Sequence, residues 1–565
     1  MEQSSSTCTL LAANTEHRQQ NMWLGCLSVK KRTARSLSLS PNRRKMTEDA
    51  ILSRSSTTDR QRSAVSVPRV IAVPDDFPIF TLTIKPRSTV FLVYANETIR
   101  QLVQSSFANG WGLDHRKRRS VSQDDDGACW IRLRNQPFLD GTGATHRIKL
   151  TKVICDCVNR IRHQGWELFA SIDLANQYPA STLFFKRNLS SKSEIEINNF
   201  EKLPCLSISG SDTIMLTDAS ENLITHFKRT IDQVYEPGLP KRSTCGKENV
   251  KHSSDTNGWC GEKASSGCIS LRLKGQPFFS HDRMECIRGR ELILDLVSEF
   301  DSQGYEPYAT LNLTCSSDSL LFRKKSSTEI RKKYLCISLM LTNKIRIIDA
   351  PGPVLEAIRQ LASHGAWQHG MESMKVENQR VTRIKFHGHP WNPLATECHW
   401  ARRFLCSLFT LMAKLGWRCS TSFDLNRHTY NKANFLFSQS NDQIIPDSKY
   451  HVFSLNLSAG CYSQLVDAPV EIRQKFSEIA HRTWPKPVTD EVMEFEGVND
   501  WTLRMSPWSW GKLYDAHARA LITLFIDECA KLGYRVLTAA NILTKYDMPN
   551  EPYPRDAHCI FFETV

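Results

Sequence analysis

Four polar residues recur at one position of a repeating pattern and are the first candidates for chemistry. Asp173, Asn312, Asp424 and Asn541 each follow a glycine by eight residues. Strand alternation places them opposite the apolar side, where carboxylates and amides could line one polar face. Alternatively, each could hydrogen-bond locally and lead the chain into a turn. Two of the four are asparagines, which cannot act as acids or bases, so the position does not indicate catalysis.

Histidines and cysteines form only a poor set of metal ligands. His387 and His389 flank Gly388, and Cys398 and His399 follow nearby. The sequence contains no Cys-x-x-Cys pair, no P-loop, no Rossmann fingerprint, no kinase motifs and no Gly-x-Ser-x-Gly or His-Glu-x-x-His motif. We therefore predict a non-enzymatic protein with no catalytic residue, no metal and no cofactor.

The recurring polar positions belong to a block that the chain repeats four times. In its first copy, an amphipathic helix stops at Gly165, as expected for a left-handed C′ residue, and two strands follow. The first of these strands begins at an aromatic residue directly after the glycine. We predict that these aromatics are mostly buried between helix and strand; they are Trp166, Tyr305, Trp417 and Tyr534.

A second element, of two strands and a helix, recurs with equal regularity. Asn96 is the predicted N-cap of its first helix. An alanine at the start of each helix follows Tyr94, Asp218, Asp349 or Asp467. An aromatic comes sixteen or seventeen residues after that alanine in each copy, namely Trp111, Tyr235, Trp367 and Trp484.

A third recurring element is a short strand that ends in a proline followed by an aromatic. The proline ends the strand because it cannot donate to the ladder, and the aromatic is most simply a core residue. The four prolines are Pro137, Pro277, Pro390 and Pro507. The elements together predict an α+β fold of tandem repeats, each with about five strands in a mixed sheet and two packed helices.

The residues that carry this pattern also carry a resemblance. Leu-x-Gly-x-Pro-Phe at Leu273 to Phe278, Gly416-Trp417, Asp424-Leu425 and Leu183-Phe184-Phe185 are representative. The pattern resembles tandem repeats in uncharacterised eukaryotic proteins, in degenerate form over about residues 75–565. The resemblance supports the repeat architecture and implies no activity.

Composition and charge restrict the class of protein. The 565 residues carry a net charge of +14, include 18 scattered cysteines, and contain no apolar run that approaches a membrane span. No secretory signal is visible at the start. Scattered cysteines at apolar helix positions indicate free thiols in a reducing compartment, so we expect the protein in the cytoplasm or the nucleus.

The N-terminal residues 1–74 are predicted to be a disordered basic tail. Residues 1–70 hold 12 Lys and Arg against 5 Asp and Glu. Basic clusters flank the candidate phosphorylation sites Ser36, Ser38 and Ser40. Two more candidate phosphorylation sites, Ser120 and Ser122, follow the basic cluster Arg116–Arg119.

Long polar segments suggest the boundaries of the repeats. They delimit complete repeats at 129–236, 268–367 and 380–485 and leave two halves, 75–112 and 499–565. We predict that these halves combine into a fourth unit and close the array, with Phe80–Val93 pairing near Ile560–Glu563. The rival frame instead pairs those strands with Leu183–Lys186.

Two functional hypotheses follow. The first is an intracellular, non-enzymatic interaction scaffold whose repeats bind protein partners of unknown identity. The alternative is a nucleic-acid-associated protein that uses the basic tail and Arg116–Arg119.

Overall fold

A computed structural model provides the structure of this chain. It describes residues 72–74, 76–85, 87–114, 121–123, 128–138, 144–174, 181–188, 202–239, 261–262, 267–279, 282–313, 317–325, 331–392, 398–425, 431–439, 450–457, 462–495, 498–505, 515–542 and 559–565. The predicted tail 1–74 therefore lies almost wholly outside the described residues.

The described residues form four copies of one unit with six strands and two helices. Repeat 1 contains β1 (Ile79–Lys85), β2 (Thr89–Val93), α1 (Glu97–Gly110), β3 (Val121–Gln123), β4 (Cys129–Arg132), α2 (Ala144–His163), β5 (Trp166–Asp173) and β6 (Ser181–Arg187). Repeat 2 contains β7 (Cys205–Ser209), β8 (Thr213–Thr217), α3 (Glu221–Val234), β9 (Gly261–Glu262), β10 (Ile269–Arg272), α4 (Arg283–Ser302), β11 (Tyr305–Asn312) and β12 (Asp318–Lys324).

Repeats 3 and 4 follow the same order of elements. Repeat 3 contains β13 (Tyr334–Met340), β14 (Lys344–Ile348), α5 (Gly352–Ser363), β15 (Met371–Val376), β16 (Val381–Phe386), α6 (Cys398–Lys414), β17 (Trp417–Phe423) and β18 (Asn431–Gln439). Repeat 4 contains β19 (Val452–Leu457), β20 (Tyr462–Val466), α7 (Val470–Thr483), β21 (Val488–Phe495), β22 (Val498–Met505), α8 (Asp515–Lys531), β23 (Tyr534–Ala540) and β24 (Cys559–Thr564).

All four sheets share one topology. Across each sheet, the six strands of a repeat lie in the order third, fourth, second, first, sixth, fifth. The α+β class and the repeats are confirmed, but every described pairing is antiparallel, so the sheets are not mixed. The reason is that the second helix returns the chain to the opposite edge of the sheet, so the fifth strand never pairs with the fourth. The additional strand in each sheet, unforeseen from the sequence, is the third strand of the repeat (β3, β9, β15 or β21), an outer edge strand that lies in a predicted linker.

The predicted frame of the repeats was wrong. Strand β1 does not pair near Ile560–Glu563; it pairs with β6, so that Phe80 lies opposite Phe185 and Leu82 opposite Leu183. The rival frame is therefore the observed one, and 75–112 and 499–565 are not halves of one unit. The boundaries 129–236, 268–367 and 380–485 each cut through two sheets. Loop length misled the prediction, because closing a longer loop costs little and long polar insertions can sit inside a domain.

The four repeats nevertheless close into a ring. The fifth strands β5, β11, β17 and β23, here called the axial strands, each contact the next, and β23 contacts β5. Each hydrophobic core also extends into the following repeat, and the core of repeat 4 extends into repeat 1. The shared residues include Cys205 and Leu311 in the core of repeat 1, Tyr334 and Phe423 in that of repeat 2, Val452 and Phe561 in that of repeat 3, and Ile79 and Phe184 in that of repeat 4.

This sharing explains why the central strands are buried on both faces. In β1 and β19, almost every residue is buried, although antiparallel sheets often leave one face to solvent. The sheet's own helices cover one face, and the second helix of the preceding repeat contributes to the cover on the other. We call α2, α4, α6 and α8 the docking helices, and the contact between repeats 4 and 1 the seam.

Local signals in the sequence act as predicted. The side chain of Asn96 accepts a hydrogen bond from the backbone N–H of Ile99, 3.0 Å away, and caps α1. Gly165 has a φ of 79° and ends α2 in the left-handed region.

Candidate functional site

The axial strands bring polar side chains from all four repeats around one cavity. Its volume of about 20 Å³ is room for about one water. The lining residues are Ser171 and Ser181 of repeat 1, Thr310, Asn312 and Asp318 of repeat 2, Ser422, Phe423, Asp424 and Ala433 of repeat 3, and Ala539, Ala540 and Asn541 of repeat 4. The recurring polar position thus converges on the axis of the ring.

Residues at that position hold neighbouring repeats together. Asn312 donates from Nδ2 to Asp173 Oδ2 at 3.0 Å, and its backbone N–H donates to Ser181 Oγ at 2.8 Å. At the next junction, the backbone N–H of Asp424 donates to Asp318 Oδ2 at 2.7 Å, and the Asp318 N–H donates back to the Asp424 carbonyl. These bonds between repeats explain the position better than the local turn bonds expected from the sequence.

Every axial strand has a bulge at the same place, and in repeat 2 the bulged side chain reaches the preceding repeat. The register shifts at Phe169, Tyr308, Ser420 and Leu537. The Tyr308 hydroxyl accepts the backbone N–H of Leu168 at 2.9 Å, in repeat 1. Burial raises the pKa of Tyr308 to about 12, so this hydroxyl stays protonated at neutral pH. Bulges commonly re-aim side chains in this way.

Each docking helix inserts a buried arginine into the following repeat. Arg147 donates to the Ile208 carbonyl at 2.8 Å, and Arg290 to Asn434 Oδ1 at 3.1 Å. Arg402 donates to Gln464 Oε1 at 2.7 Å. At the seam, Arg519 donates from Nε to Thr83 Oγ1 at 2.6 Å. Four junctions therefore use the same device, including the one that closes the ring.

The junction between repeats 1 and 2 predicts a pH dependence of stability. Burial alone would raise the pKa of Glu306, but hydrogen bonds from Lys332 and Arg323, both at 2.7 Å, lower it overall. Arg323 also pairs with Glu167 of repeat 1. Because the folded-state pKa is lowered, this contribution is present above the unfolded pKa and is lost as pH falls through the folded value.

We therefore expect the Glu306→Gln variant to lose stability at neutral pH and to show a smaller further loss below about pH 4. The measurement is the urea midpoint of the wild type and the variant at pH 7 and in acid. Glu97→Gln, at an exposed helix start, is the matched control. An equal acid-induced loss in the wild type and Glu306→Gln would contradict the assignment.

The structure places the predicted aromatic positions in or beside the core. Trp166 and Trp417 are buried, and Tyr305 and Tyr534 are half-buried. Pro137, Pro277 and Pro390 are buried. The aromatics that follow these three prolines are at most 2% exposed, as expected of core residues. Pro507 lies outside the described residues.

Most of the candidate modification and nucleic-acid sites also lie outside the described residues. They are Ser36, Ser38, Ser40, Ser120 and the cluster Arg116–Arg119. Ser122 lies in β3 and is paired with Trp130 of β4. A paired strand presents its backbone less readily to an enzyme than the exposed loop expected from the sequence.

Cysteine chemistry is disfavoured where the structure describes the thiols. Ten of the twelve described cysteines are buried. Burial raises the pKa of Cys157 to about 12 and that of Cys336 to about 11. A thiol with so high a pKa is a poor nucleophile at neutral pH. Within the described residues, no cluster of His, Cys, Asp and Glu has the geometry of a metal site.

Comparison with known proteins identifies the repeat. One domain family matches the chain four times, over residues 78–186, 202–328, 333–438 and 451–563. The chain belongs to this uncharacterised domain family. The four matches coincide with the four observed sheets, so the family domain is the unit β, β, α, β, β, α, β, β. No curated protein and no solved structure matches the chain, and no known function carries over.

One further finding concerns membranes. Among the described helices, none combines the length and apolar character needed to cross a bilayer.

Proposed function

We propose that this protein is a non-enzymatic interaction scaffold that acts as one closed ring rather than as four independent modules. The observation that carries the proposal is the sharing of cores and buried arginines at all four junctions, including the seam. Such junctions fix the repeats relative to one another. Partner proteins would therefore bind a surface that several repeats form together. Their affinity would not come from avidity between independently moving modules.

The axial cavity is too small to serve as a substrate pocket. Pockets for small molecules usually enclose several hundred Å³, whereas this cavity has about 20 Å³. Asp173, Asn312, Asp318 and Asp424 hydrogen-bond between repeats there. These polar groups serve the architecture. The buried thiols favour a reducing compartment, and we place the protein in the cytoplasm or nucleus.

Affinity capture from the protein's own cells tests the scaffold proposal. The baits are the full chain, a chain lacking residues 1–74, and the full chain with Arg519→Ala at the seam. Arg359→Ala, in an exposed pair on α5, is the matched control. We expect partner proteins that remain bound without the tail and in the control but are lost with Arg519→Ala. Partners that require only the tail would overturn the proposal.

The alternative function, nucleic-acid binding, draws on the basic tail and Arg116–Arg119. It predicts binding to single- or double-stranded nucleic acid whose affinity falls linearly in log salt, because phosphate contacts release counterions. Fluorescence anisotropy between roughly 50 and 200 mM salt measures the slope. Absence of binding at low salt would reject this alternative. Loss of binding on removing residues 1–74 would assign it to the tail.

A further inference from the structure

One pair of positions recurs at every junction but with different chemistry. The first position precedes the alanine at the start of each first helix and has a positive φ in all four repeats. It holds Tyr94, Asp218, Asp349 and Asp467, with φ between 54° and 61°. The second position lies on the docking helix, thirteen residues before the glycine that follows that helix. It holds Lys152, Glu291, Arg403 and Ala520.

Two junctions hold opposite charges at these positions. Arg403 of repeat 3 pairs with Asp467 of repeat 4 at 2.8 Å. Between repeats 1 and 2, the same combination of charges recurs as Lys152 on α2 and Asp218 in repeat 2. Burial raises the pKa of Asp218 overall, and the charge of Lys152 opposes that rise. In each case, the docking helix supplies the cation and the following repeat supplies the carboxylate.

The junction between repeats 2 and 3 reverses the charge of the docking helix. Helix α4 carries Glu291 and Asp295, which would repel Asp349 directly. Arg380 lies between them and donates to Asp295 and to Asp349. Asn378 donates to Glu291 Oε1 at 2.9 Å. A bridging arginine thus replaces the direct pair.

The seam uses no charge at this pair of positions. Ala520 packs with Ala516, Phe91 and Val93 in one apolar cluster, and Tyr94 packs against that cluster. A tyrosine is an unfavourable residue at positive φ, where aspartate is tolerated better. The φ of 61° at Tyr94 therefore carries a conformational free-energy cost. The apolar contact of Tyr94 at the seam offsets that cost.

We propose that these position pairs are recognition determinants that disfavour docking of α2 or α6 on the sheet of repeat 1 and of α8 on the sheets of repeats 2 and 4, so that α8 closes on repeat 1. A mismatched docking is unfavourable in either direction. Ala520 opposite Asp218 or Asp467 would leave a partly buried carboxylate without its cation. Lys152 or Arg403 opposite Tyr94 would place a further cation, without a carboxylate partner, beside the apolar cluster of the seam.

A double-mutant cycle in the full chain tests the proposal. Tyr94→Asp with Ala520→Arg recreates at the seam the pair that Arg403 and Asp467 form. Hydrogen exchange of the backbone amides of 79–93 is the readout. We expect Tyr94→Asp to speed this exchange roughly tenfold, and Ala520→Arg to reverse most of that increase only in the Tyr94→Asp background. Tyr94→Phe is the control and should change nothing, because the tyrosine hydroxyl has no hydrogen-bond partner within the described residues.

The reciprocal exchange keeps the proposal testable if Tyr94→Asp does not fold. Arg403→Ala with Asp467→Tyr transplants the seam pair to the junction between repeats 3 and 4. There, exchange of residues 452–466 should be slower in the double variant than in either single variant. If the effects of the two substitutions on the exchange rate simply multiply in both cycles, with no rescue at either junction, the proposal is overturned. A merely structural role for each residue predicts that multiplicative outcome.

Discussion

Truncating Arg519 to alanine is expected to lower the free energy of unfolding by about 3 kcal/mol. Arg519 is 1% exposed, donates to Thr83 Oγ1, and lies 5.7 Å from the centre of the Phe91 ring. Alanine would leave a cavity at the seam and remove the hydrogen bond to the neighbouring repeat. Urea unfolding measures the loss.

A matched control separates this effect from the loss of any arginine. Arg359→Ala removes an exposed guanidinium that pairs with Glu356 of the same helix, α5. It should leave the urea midpoint unchanged. Hydrogen exchange should accelerate first in 79–93 for Arg519→Ala. A loss of protection spread evenly over all repeats, or none at all, would contradict the assigned role of Arg519.

The second large effect is expected for Trp417→Ala, at about 3–5 kcal/mol. Trp417 is 4% exposed and belongs to the core that repeats 3 and 4 share. Removing the indole leaves a cavity between α6 and the strand that Trp417 begins. Differential scanning calorimetry measures the shift in melting temperature, and Leu415→Ala, at a residue 38% exposed, is the control. An unchanged melting temperature would make the core assignment wrong.

Features fixed by local geometry could be predicted from the sequence. Gly165 ends a helix because the chain must become left-handed there, and Asn96 caps a helix through its own side chain. Phe278 and Trp391 fill the core after prolines that end strands. Each signal depends on a few neighbouring residues, so a single sequence contains it.

Features fixed by contacts between distant residues could not be predicted in the same way. The pairing of Phe80 with Phe185 spans about a hundred residues. The long polar segments indicated repeat boundaries at other places in the chain, because long insertions can lie inside a domain. The roles of Asp173 and Asn312 depend on a bond between repeats that strand alternation does not reveal. The outer edge strands lay in or beside segments whose polar composition indicated linkers.

One signal of the buried junctions is nevertheless visible in the sequence. Arg290, Arg402 and Arg519 each lie fourteen residues before the glycine that follows their helix. Arginine on the apolar side of a helix is costly unless it has partners, so its recurrence at one position indicates a buried contact. In repeat 1, Thr151 occupies that position and Arg147, one turn earlier, makes the contact.

The distance between repeats 1 and 4 tests the central claim most directly. Spin labels introduced as unnatural amino acids at the exposed positions 97 and 482 avoid the native cysteines. Both positions are close in sequence to residues of the core that repeats 4 and 1 share, Tyr94 and Trp484. Double electron–electron resonance on dilute full-length protein should give one short distance that does not change with concentration. In an open array, the labels would lie three repeats apart. If each repeat adds one sheet layer and one helix layer, the distance between the labels is about 60 Å. That long distance would contradict the closed ring.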